Sequence, residues 1–271
     1  MKQYIQIQTT SICNARCKIC PYVGSLLSKN KAVMSDAVFS RLISAIAEAS
    51  WVTPKLALYM QNEPLTDPAL ASRIKQLAQK VHFGYLELST NCSLLSAERA
   101  ASIIEASTGV SLRVELSFQG NNQKSFEEMT GLNYQTCLAN LKNFLTMVES
   151  HSNIACRVVA CTSIDPEIAA HIKGLNKKPG TKIFSPNNRA GNLGKAAAAN
   201  TQRPCTRWKN WIHFNWLGDV ILCCNDYNNT EKFGNIMDFS LQELYDKRNA
   251  ELPLRLQSPD CICHVCDRKL V

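Results

Sequence analysis

Residues 3–20 have the sequence QYIQIQTTSICNARCKIC, a predicted strand at Gln3–Gln8 followed by a loop with three cysteines. Polar and apolar residues alternate in this strand, as in a half-buried strand. Cys13, Cys17 and Cys20 have the spacing C-x3-C-x2-C. Three thiolates in one loop can bind three irons of a [4Fe-4S] cube and leave the fourth iron open. A zinc site is the alternative, although a closed structural zinc site needs four ligands.

Five further predicted strands follow, separated for the most part by helical patterns. Each strand is short, rich in Val, Ile, Leu, Tyr or Phe, and bounded by polar or breaker residues. The predicted strands are Lys55–Met60, Tyr85–Thr90, Ser111–Phe118, Ala155–Thr162 and Lys182–Ser185, and the predicted helices are Ser35–Glu48, Asp67–Val81, Ser96–Ala106, Tyr134–Val148 and Asp165–Leu175. Such alternation predicts parallel strands with right-handed crossovers. We therefore predict an α/β fold, a partial (β/α)6 barrel whose chemistry lies at the carboxyl ends of its strands.

The character of the chain changes near residue 195, and we divide it into a barrel domain at 1–194 and a smaller domain at 195–271. Residues 195–200 predict a linker or a short helix. The second domain is rich in Cys and Trp, and Leu217-Gly218-Asp219 is a hairpin signal. Its predicted elements are the hairpin strands His213–Trp216 and Val220–Cys223 and the short helix Ser240–Lys247.

The composition limits the class of protein. Hydrophobic residues make up 45% of the 271 residues and charged residues 19%, which is typical of a globular chain. The sequence has neither an apolar run of about 18 residues nor a signal-peptide core, so we expect no membrane contact and a cytoplasmic location. Thirteen cysteines in such a chain favour metal or cluster binding over disulfides. The net charge of +8 comes from scattered Lys and Arg residues, which favours a solvated basic surface over a nucleic-acid partner.

The three-cysteine loop, its place after the first strand and the strand–helix pattern resemble the radical S-adenosylmethionine (SAM) enzymes, over residues 3 to about 194. Asn62-Glu63-Pro64 resembles the turn that receives the amino group of SAM in that family. Ser89-Thr90-Asn91 resembles a Thr-Asn-Gly turn, with Cys92 in place of the glycine. The family covers adenine with an aromatic residue before the third cysteine, where this chain has Ile19. The resemblance implies that the SAM-binding residues are Asn62, Glu63, Asn91, Ser117, Gln119 and Tyr22.

A second cysteine set lies in the C-terminal part. Cys205-x12-Gly218-x4-Cys223 is followed by Cys263-x2-Cys266. Four thiolates can close a zinc site, and this is one interpretation. The pattern also resembles the twitch domain, a shortened SPASM domain that holds one auxiliary [4Fe-4S] cluster in radical SAM enzymes. Two alternatives stay open: Cys224 in place of Cys223 as the hairpin ligand, and Cys261 as a further ligand.

The resemblance implies that a 5′-deoxyadenosyl radical, formed from SAM at the open iron, abstracts hydrogen from a small molecule. Asn188-Arg189-Ala190-Gly191 resembles a segment of twitch-domain dehydrogenases that act on aminocyclitols. We therefore favour oxidation of a secondary alcohol in an aminocyclitol, sugar or nucleoside-like natural-product intermediate. The resemblance implies that Arg189 takes up the proton of the substrate hydroxyl, and binding of an anionic substrate group is the alternative. An acidic flavodoxin or ferredoxin is the expected electron donor, because the chain is basic.

Three other functions remain as alternatives. A radical epimerase would use a thiol as hydrogen donor, and Cys92, Cys224 and Cys261 are its candidates. A radical SAM enzyme that modifies a peptide is the second alternative. The predicted first strand begins near residue 3, where peptide-modifying relatives often carry a recognition domain, and this favours a small molecule. A cysteine-rich metal scaffold that binds nucleic acid through its positive charge is the non-enzymatic alternative.

Overall fold

The structure is a computed structural model, and it describes residues 2–193, 204–205, 207–267 and 269–270. The first part of the chain alternates strands and helices. Its strands are β1 (Tyr4–Ile7), β2 (Lys55–Ala57), β3 (Tyr85–Thr90), β4 (Leu112–Ser117), β5 (Ile154–Ala160) and β6 (Gly180–Ile183). Its helices are α1 (Leu26–Lys29), α2 (Asp36–Glu48), α3 (Leu70–Lys80), α4 (Ala97–Ala106), α5 (Gln123–Thr130), α6 (Tyr134–Met147) and α7 (Pro166–Gly174). The six predicted strands and five predicted helices are each found near their predicted places.

Strands β1 to β6 lie side by side in chain order, and every neighbouring pair is parallel. Alternate residues of each strand face opposite sides of the sheet. In β4, Leu112, Val114 and Leu116 are buried in the hydrophobic core, while Arg113 and Glu115 between them are half-buried. One side of the sheet is therefore apolar and packed, and the other is polar. This confirms the predicted α/β barrel fold.

Helix α5 was not predicted from the sequence, because most of its residues are polar and it has only two turns. Asn122 caps it with a capping box that includes Ser125. Its one fully buried aromatic residue, Phe126, stacks on Phe118 with ring centroids 4.2 Å apart, and Tyr134 packs edge-on against both. A single aromatic anchor and a cap therefore fix a helix that has too little apolar periodicity to be predicted.

The C-terminal part extends the same sheet. Its elements are β7 (Pro204–Cys205), α8 (Arg207–Asn210), β8 (Trp211–Phe214), β9 (Asp219–Ile221), β10 (Lys232–Asn235), α9 (Leu241–Arg255) and β11 (Lys269–Leu270). Strand β8 pairs with β1 in parallel, so the nine-stranded order is β10-β9-β8-β1-β2-β3-β4-β5-β6. The predicted linker at 195–200 and the domain boundary at 194/195 lie outside the described residues. The division into two domains stays a prediction.

The predicted hairpin is present as β8 and β9, which pair antiparallel. Gly218 in its turn has φ +85°, and a β-carbon there would lie 2.8 Å from Ile236 and 2.9 Å from Val38. Glycine is therefore required at this position. Helix α9 is longer than predicted and carries Pro253 in its last turn. Among the described helices, none is long and apolar enough to span a membrane.

Candidate functional site

The loop that carries Cys13, Cys17 and Cys20, called here the first cysteine loop, follows β1 at the carboxyl end of the parallel strands. It is held by the end of α5. The amide of Arg16 donates to the carbonyl of Thr130 at 2.7 Å, and the amide of Lys18 donates to the carbonyl of Met129 at 2.9 Å. The unpredicted helix α5 therefore fixes the backbone between the cysteines.

The three thiols of the first cysteine loop are close enough to influence one another. Burial raises the pKa of Cys17 to about 12, and the neighbouring Cys20 raises it further, while Arg189 opposes the rise. Burial also raises the pKa of Cys13, with smaller contributions from Cys17 and Cys20. Such thiols ionise only when a cation stabilises the thiolates. Within the described residues, no three His, Cys, Asp or Glu side chains converge on one ion. A four-iron cube does not need that convergence, because each thiolate binds a different iron.

Tyr22 binds the first cysteine loop from the side of the hydrophobic core. Its hydroxyl accepts a hydrogen bond of 2.9 Å from the amide of Cys13, and its ring belongs to the hydrophobic core. Burial raises the pKa of the Tyr22 phenol. The structure therefore places Tyr22 next to the predicted cluster ligands but buried, and its role in SAM binding stays a prediction.

Glu63 joins the ends of β2 and β3. Its carboxylate accepts hydrogen bonds from the hydroxyl of Thr90 at 2.7 Å, the amide of Asn91 at 2.7 Å and the amide of Leu65 at 3.1 Å. Its side chain is buried, which raises the pKa of Glu63 to about 7 against the opposing effect of these donors. The amide of Glu63 itself donates to the carbonyl of Ile12, just before Cys13. Glu63 therefore sets the position of the first cysteine loop relative to the neighbouring strand ends.

Asn91 is bound to the first cysteine loop. Its Nδ2 donates to Asn14 Oδ1 at 2.9 Å, and Asn14 Nδ2 donates to the hydroxyl of Ser93 at 2.8 Å. The predicted SAM-binding residues Glu63 and Asn91 thus lie together with the three cysteines, in one hydrogen-bonded unit.

Several buried polar atoms near the strand ends have no hydrogen-bond partner within the described residues. Buried polar groups in native proteins are almost always paired with protein, water or ligand. These atoms follow β1, β2, β4 and β6, on the side of the first cysteine loop. They are Nε2 and Oε1 of Gln8, Oγ1 of Thr9, Oε1 of Gln61, Nδ2 of Asn62, Oε1 of Gln119 and Nε of Arg189. Donors and acceptors together at one edge suit a ligand that carries amino, carboxylate and hydroxyl groups, as SAM does.

Two of the predicted SAM-binding amides have only half of their groups paired. Oδ1 of Asn62 accepts from the amide of Met60 at 2.9 Å, which leaves Nδ2. Nε2 of Gln119 donates to the hydroxyl of Ser117 at 2.7 Å, which leaves Oε1. Protein contacts at one end orient each amide, with Gln119 Nε2 also donating to the carbonyl of Val159 at 3.3 Å, and the other end of each amide is available to a ligand.

The polar side of the parallel sheet carries a set of charged and hydroxyl side chains that sequence analysis missed. We call this set the inner face: Lys55, Tyr59, Glu87, Arg113, Glu115 and Arg157. The hydroxyl of Tyr59 donates to Glu87 Oε1 at 2.6 Å, and Lys55 forms an ion pair with the same carboxylate. Arg157 contacts Glu115 at 3.3 Å. Alternate strand positions are the sequence signal that would have found them.

The C-terminal cysteines (Cys205, Cys223, Cys224, Cys261, Cys263 and Cys266) come from three segments that the fold brings together. Burial raises the pKa of Cys263, and the next contributions come from Cys261, Cys266 and Cys205. Cys205 lies in β7, which pairs in parallel with β11 just beyond the last cysteine. This two-stranded sheet joins the beginning of the C-terminal part to its end.

Arg207 lies among the hairpin cysteines. Its guanidinium contacts the thiol of Cys224, and the thiols of Cys223 and Cys205 also contribute to its raised pKa. The carbonyl of Cys224 accepts a hydrogen bond of 3.1 Å from Gln61 in the barrel. Cys224 therefore lies on the side of the C-terminal cysteines that faces the barrel. Sequence analysis did not identify Arg207 as a neighbour of these cysteines.

Tyr227 links the two cysteine sets and was also missed. Its hydroxyl lies 3.4 Å from Sγ of Cys20. Burial raises its pKa, followed by the nearby Cys20, so the phenol stays protonated at neutral pH. Nothing in the local sequence distinguishes this tyrosine from one in the hydrophobic core.

The remaining candidates differ in position. Arg189 has φ +51° and lies near enough to Cys17 and Tyr227 to affect both. The preceding Asn188 is bound to Asp267 at 2.9 Å, which ties this segment to the C-terminal cysteines. Cys92, in contrast, is 0% exposed and faces the carbonyl of Thr90. The structure does not bring Cys92 to either cysteine set, because its neighbours belong to the core.

Comparisons with known proteins agree with this arrangement. Residues 205–267 match the SPASM family, an iron–sulfur cluster-binding domain. No curated protein matches the chain by sequence. The structure of BtrN in complex with AdoMet and 2-DOIA has a TM-score of 0.64 at 16% identity, covering 97% of this chain and 92% of BtrN.

Two other solved structures are similar. SuiB of Streptococcus suis, bound to its precursor peptide SuiA, has a TM-score of 0.71 at 13% identity, covering 98% of this chain and 70% of SuiB. The structure of anSMEcpe with bound AdoMet has a TM-score of 0.58 at 17% identity, covering 92% and 82%. At these identities the likeness shows the fold. The predicted resemblance to radical SAM enzymes is confirmed at the level of the fold, and the C-terminal part matches an iron–sulfur cluster-binding domain.

Proposed function

We propose that the protein is a radical SAM enzyme that oxidises a secondary alcohol of a small polar molecule. The observation that carries the proposal is the group of buried, unpaired polar atoms at the strand ends beside the first cysteine loop. Cys13, Cys17 and Cys20 would hold a [4Fe-4S] cluster with one open iron. Bound there, cluster and SAM supply a carbon-centred radical that abstracts hydrogen from the substrate.

The residues around the loop would hold SAM in place. Asn62 Nδ2 and Gln119 Oε1 offer one donor and one acceptor, each on an amide whose other end is fixed by the protein. Glu63 and Asn91 would hold the SAM site in shape. The carboxylate of Glu63 already binds Thr90 at the end of β3, and the amide of Asn91 already binds Asn14. A preorganised set of this kind needs no rearrangement when the ligand binds.

The inner face supports a hydroxyl-rich or amine-bearing substrate. Its carboxylates are held by ion pairs with Lys55 and Arg157, and Tyr59 adds a phenol. An apolar substrate would take these charged groups out of water without offering them any hydrogen bond, whereas hydroxyl or amino groups of a polar substrate can bond to their remaining donors and acceptors. The inner face therefore favours aminocyclitols, aminosugars or nucleoside-like molecules, as the sequence analysis expected.

Oxidation of an alcohol to a ketone removes two electrons and two protons in all. With the first cluster and SAM bound, the substrate would lose one hydrogen atom to the radical that they supply, and it would still have to lose one electron and one proton. The C-terminal cysteines would hold the electron acceptor, a second [4Fe-4S] cluster. The guanidinium of Arg189 has donors and no acceptor, so we assign it to orienting the hydroxyl oxygen, and the proton would pass to solvent water.

A radical epimerase is the second candidate, since Cys224 lies on the barrel side of its set, where Gln61 binds its carbonyl. A donor thiol exchanges with solvent, so turnover in D2O distinguishes the two reactions. An epimerised product would carry one carbon-bound deuterium, lost in Cys224→Ala. A ketone would carry none at that carbon.

The experiment uses anaerobically reconstituted protein with SAM, dithionite and a panel of polyols and aminosugars. The first probe is 2-DOIA, the compound bound to BtrN. We expect formation of 5′-deoxyadenosine, and product oxidised by two electrons with one or more panel members. A cluster-loaded protein that makes no 5′-deoxyadenosine under reduction would overturn the proposal. If peptides increased the formation of 5′-deoxyadenosine and no small molecule of the panel did, the protein would be assigned to peptide modification instead.

A further inference from the structure

Residues 223–228 of the C-terminal part, called here the bridging segment, contact the barrel at three points around the first cysteine loop. Gln61 Nε2 donates to the carbonyl of Cys224 at 3.1 Å. The amide of Leu26 donates to Asn228 Oδ1 at 3.0 Å. Between these two contacts, the hydroxyl of Tyr227 lies 3.4 Å from Sγ of Cys20. Two flanking hydrogen bonds thus hold the phenol against one predicted cluster ligand.

The direction of the Tyr227 contact follows from the chemistry of the ligand. A cysteine that binds iron is a thiolate and has no proton to donate. With a cluster bound, the hydroxyl of Tyr227 is therefore the donor and Cys20 the acceptor. Tyr227 is only 3% exposed, so little water competes for this bond.

Hydrogen bonds to the sulfurs of a cluster set its reduction potential. Reduction adds negative charge to the cluster and its thiolate ligands, and a hydrogen bond donated to one of these sulfurs stabilises that charge. We propose that Tyr227 is a positioning residue that raises the reduction potential of the cluster held by Cys13, Cys17 and Cys20. The inference rests on the proposed function, because it needs a cluster at this loop. It also gives the C-terminal part a role at the first cluster.

The test is a redox titration of Tyr227→Phe, followed by EPR of the reduced clusters in the absence of substrate. The variant in which Cys13, Cys17 and Cys20 are all Ala retains only the C-terminal cluster and so assigns the signals. We expect the potential of the first cluster to shift to a more negative value and that of the second to stay unchanged. Tyr245→Phe is the matched control, because Tyr245 packs on Trp51 and accepts a hydrogen bond from Gln3, just before β1, whereas the first cysteine loop follows the other end of that strand.

The outcomes separate this inference from the proposed function. Wild-type protein with no cluster on the first cysteine loop would overturn both. A cluster that is present, with the same potential in Tyr227→Phe, Tyr245→Phe and wild type, would overturn the role of Tyr227 alone. Should Tyr227→Phe not fold, proton ENDOR of the wild type decides. An exchangeable proton coupled to the first cluster, absent in D2O, supports the hydrogen bond, and its absence in H2O overturns it.

Discussion

The two cysteine sets of this protein are built in opposite ways. The first cysteine loop places Cys13, Cys17 and Cys20 within a single turn-rich segment, whereas the C-terminal cysteines come from β7, the segment after β9 and the segment after α9. A short loop provides three thiols and no fourth, which leaves one iron free for a ligand. A set drawn from three segments has enough thiols to close its site. In the proposed function, this difference in the number of ligands would separate a site for chemistry from a site for electron transfer or support.

The supports of the two sets differ in the same way. The first cysteine loop is held by backbone hydrogen bonds to the end of α5 and by Glu63. The C-terminal cysteines depend on the pairing of β7 with β11 and on Arg207. The first cysteine loop is thus held in place by the barrel. The C-terminal cysteines come together only when β7 and β11, the two ends of the C-terminal part, pair.

Removing each set in turn should have the largest effect. The Cys13→Ala, Cys17→Ala, Cys20→Ala triple variant should lose about four of about eight irons and all cleavage of SAM, because no other loop leaves an open iron. The Cys205→Ala, Cys263→Ala, Cys266→Ala variant should lose a similar amount of iron but still cleave SAM. Iron analysis and 5′-deoxyadenosine measurement check both. Continued SAM cleavage by the first variant would contradict the assignment.

The two hairpin cysteines sharpen the comparison further. Cys224 contacts Arg207 and faces the barrel, so we assign Cys223 as the ligand of the second cluster. Cys223→Ala should therefore lose the EPR signal of that cluster, whereas Cys224→Ala should keep it. Cys156→Ala, outside both sets, serves as the control. The reverse pattern would identify Cys224 as the ligand.

A smaller effect is expected from changes in electron delivery to the clusters. The chain carries a net charge of +8, and flavodoxins and ferredoxins are usually acidic. Turnover with such a donor should fall several-fold between low salt and about 0.5 M salt, where the Debye length is well below 10 Å. Turnover with dithionite should change much less. Equal sensitivity to salt would argue against electrostatic docking.

The smallest expected effect concerns the strand that joins the two regions. His213 in β8 donates to Gln6 in β1 at 2.9 Å, and burial lowers its pKa well below 6.5, with smaller contributions from Arg207 and Arg248. The unfolded chain then binds a proton below about pH 6.5 that the folded chain does not. Stability should therefore fall as the pH drops below that value, by at most about 1.4 kcal/mol per pH unit.

His213→Gln should remove this contribution, because glutamine has no proton to gain. Urea unfolding of the anaerobic, cluster-loaded protein between about pH 7.5 and about pH 5.5 measures it. As the pH falls across this range, the unfolding free energy of the wild type should decrease more than that of His213→Gln. A difference that stays constant across the range would show that His213 is not held neutral by the fold.

Much of the fold could be predicted because its signals are local. The six parallel strands, the hairpin turn at Gly218 and five helices each follow from apolar periodicity and breaker residues within a short window. Helix α5 could not be predicted, because one buried aromatic and a cap replace the periodic pattern. Helix α9 continues past its predicted end at Lys247 as far as Arg255, and Pro253, normally a stop signal, lies within its last turn.

The candidate site divides in the same way. Glu63, Asn91 and the three cysteines were predicted from the sequence, because each lies in a short motif at a strand end, and the structure brings them together. The inner face was missed, since its ion pairs join residues of different strands. Lys55 and Glu87, for example, belong to two neighbouring strands, and neither is unusual in its own segment.

The sequence by itself determined that three cysteines share one loop after the first strand and that a second set lies near the C-terminus, because spacing along the chain is enough to bring such thiols into a loop. Only the tertiary structure decided that β8 joins β1 and that Tyr227 meets Cys20, 207 positions away in the chain. Contacts of that kind depend on how helices and strands pack. The local sequence shows which face of a helix or strand is buried, but the partner of that face is selected by shape when the elements pack.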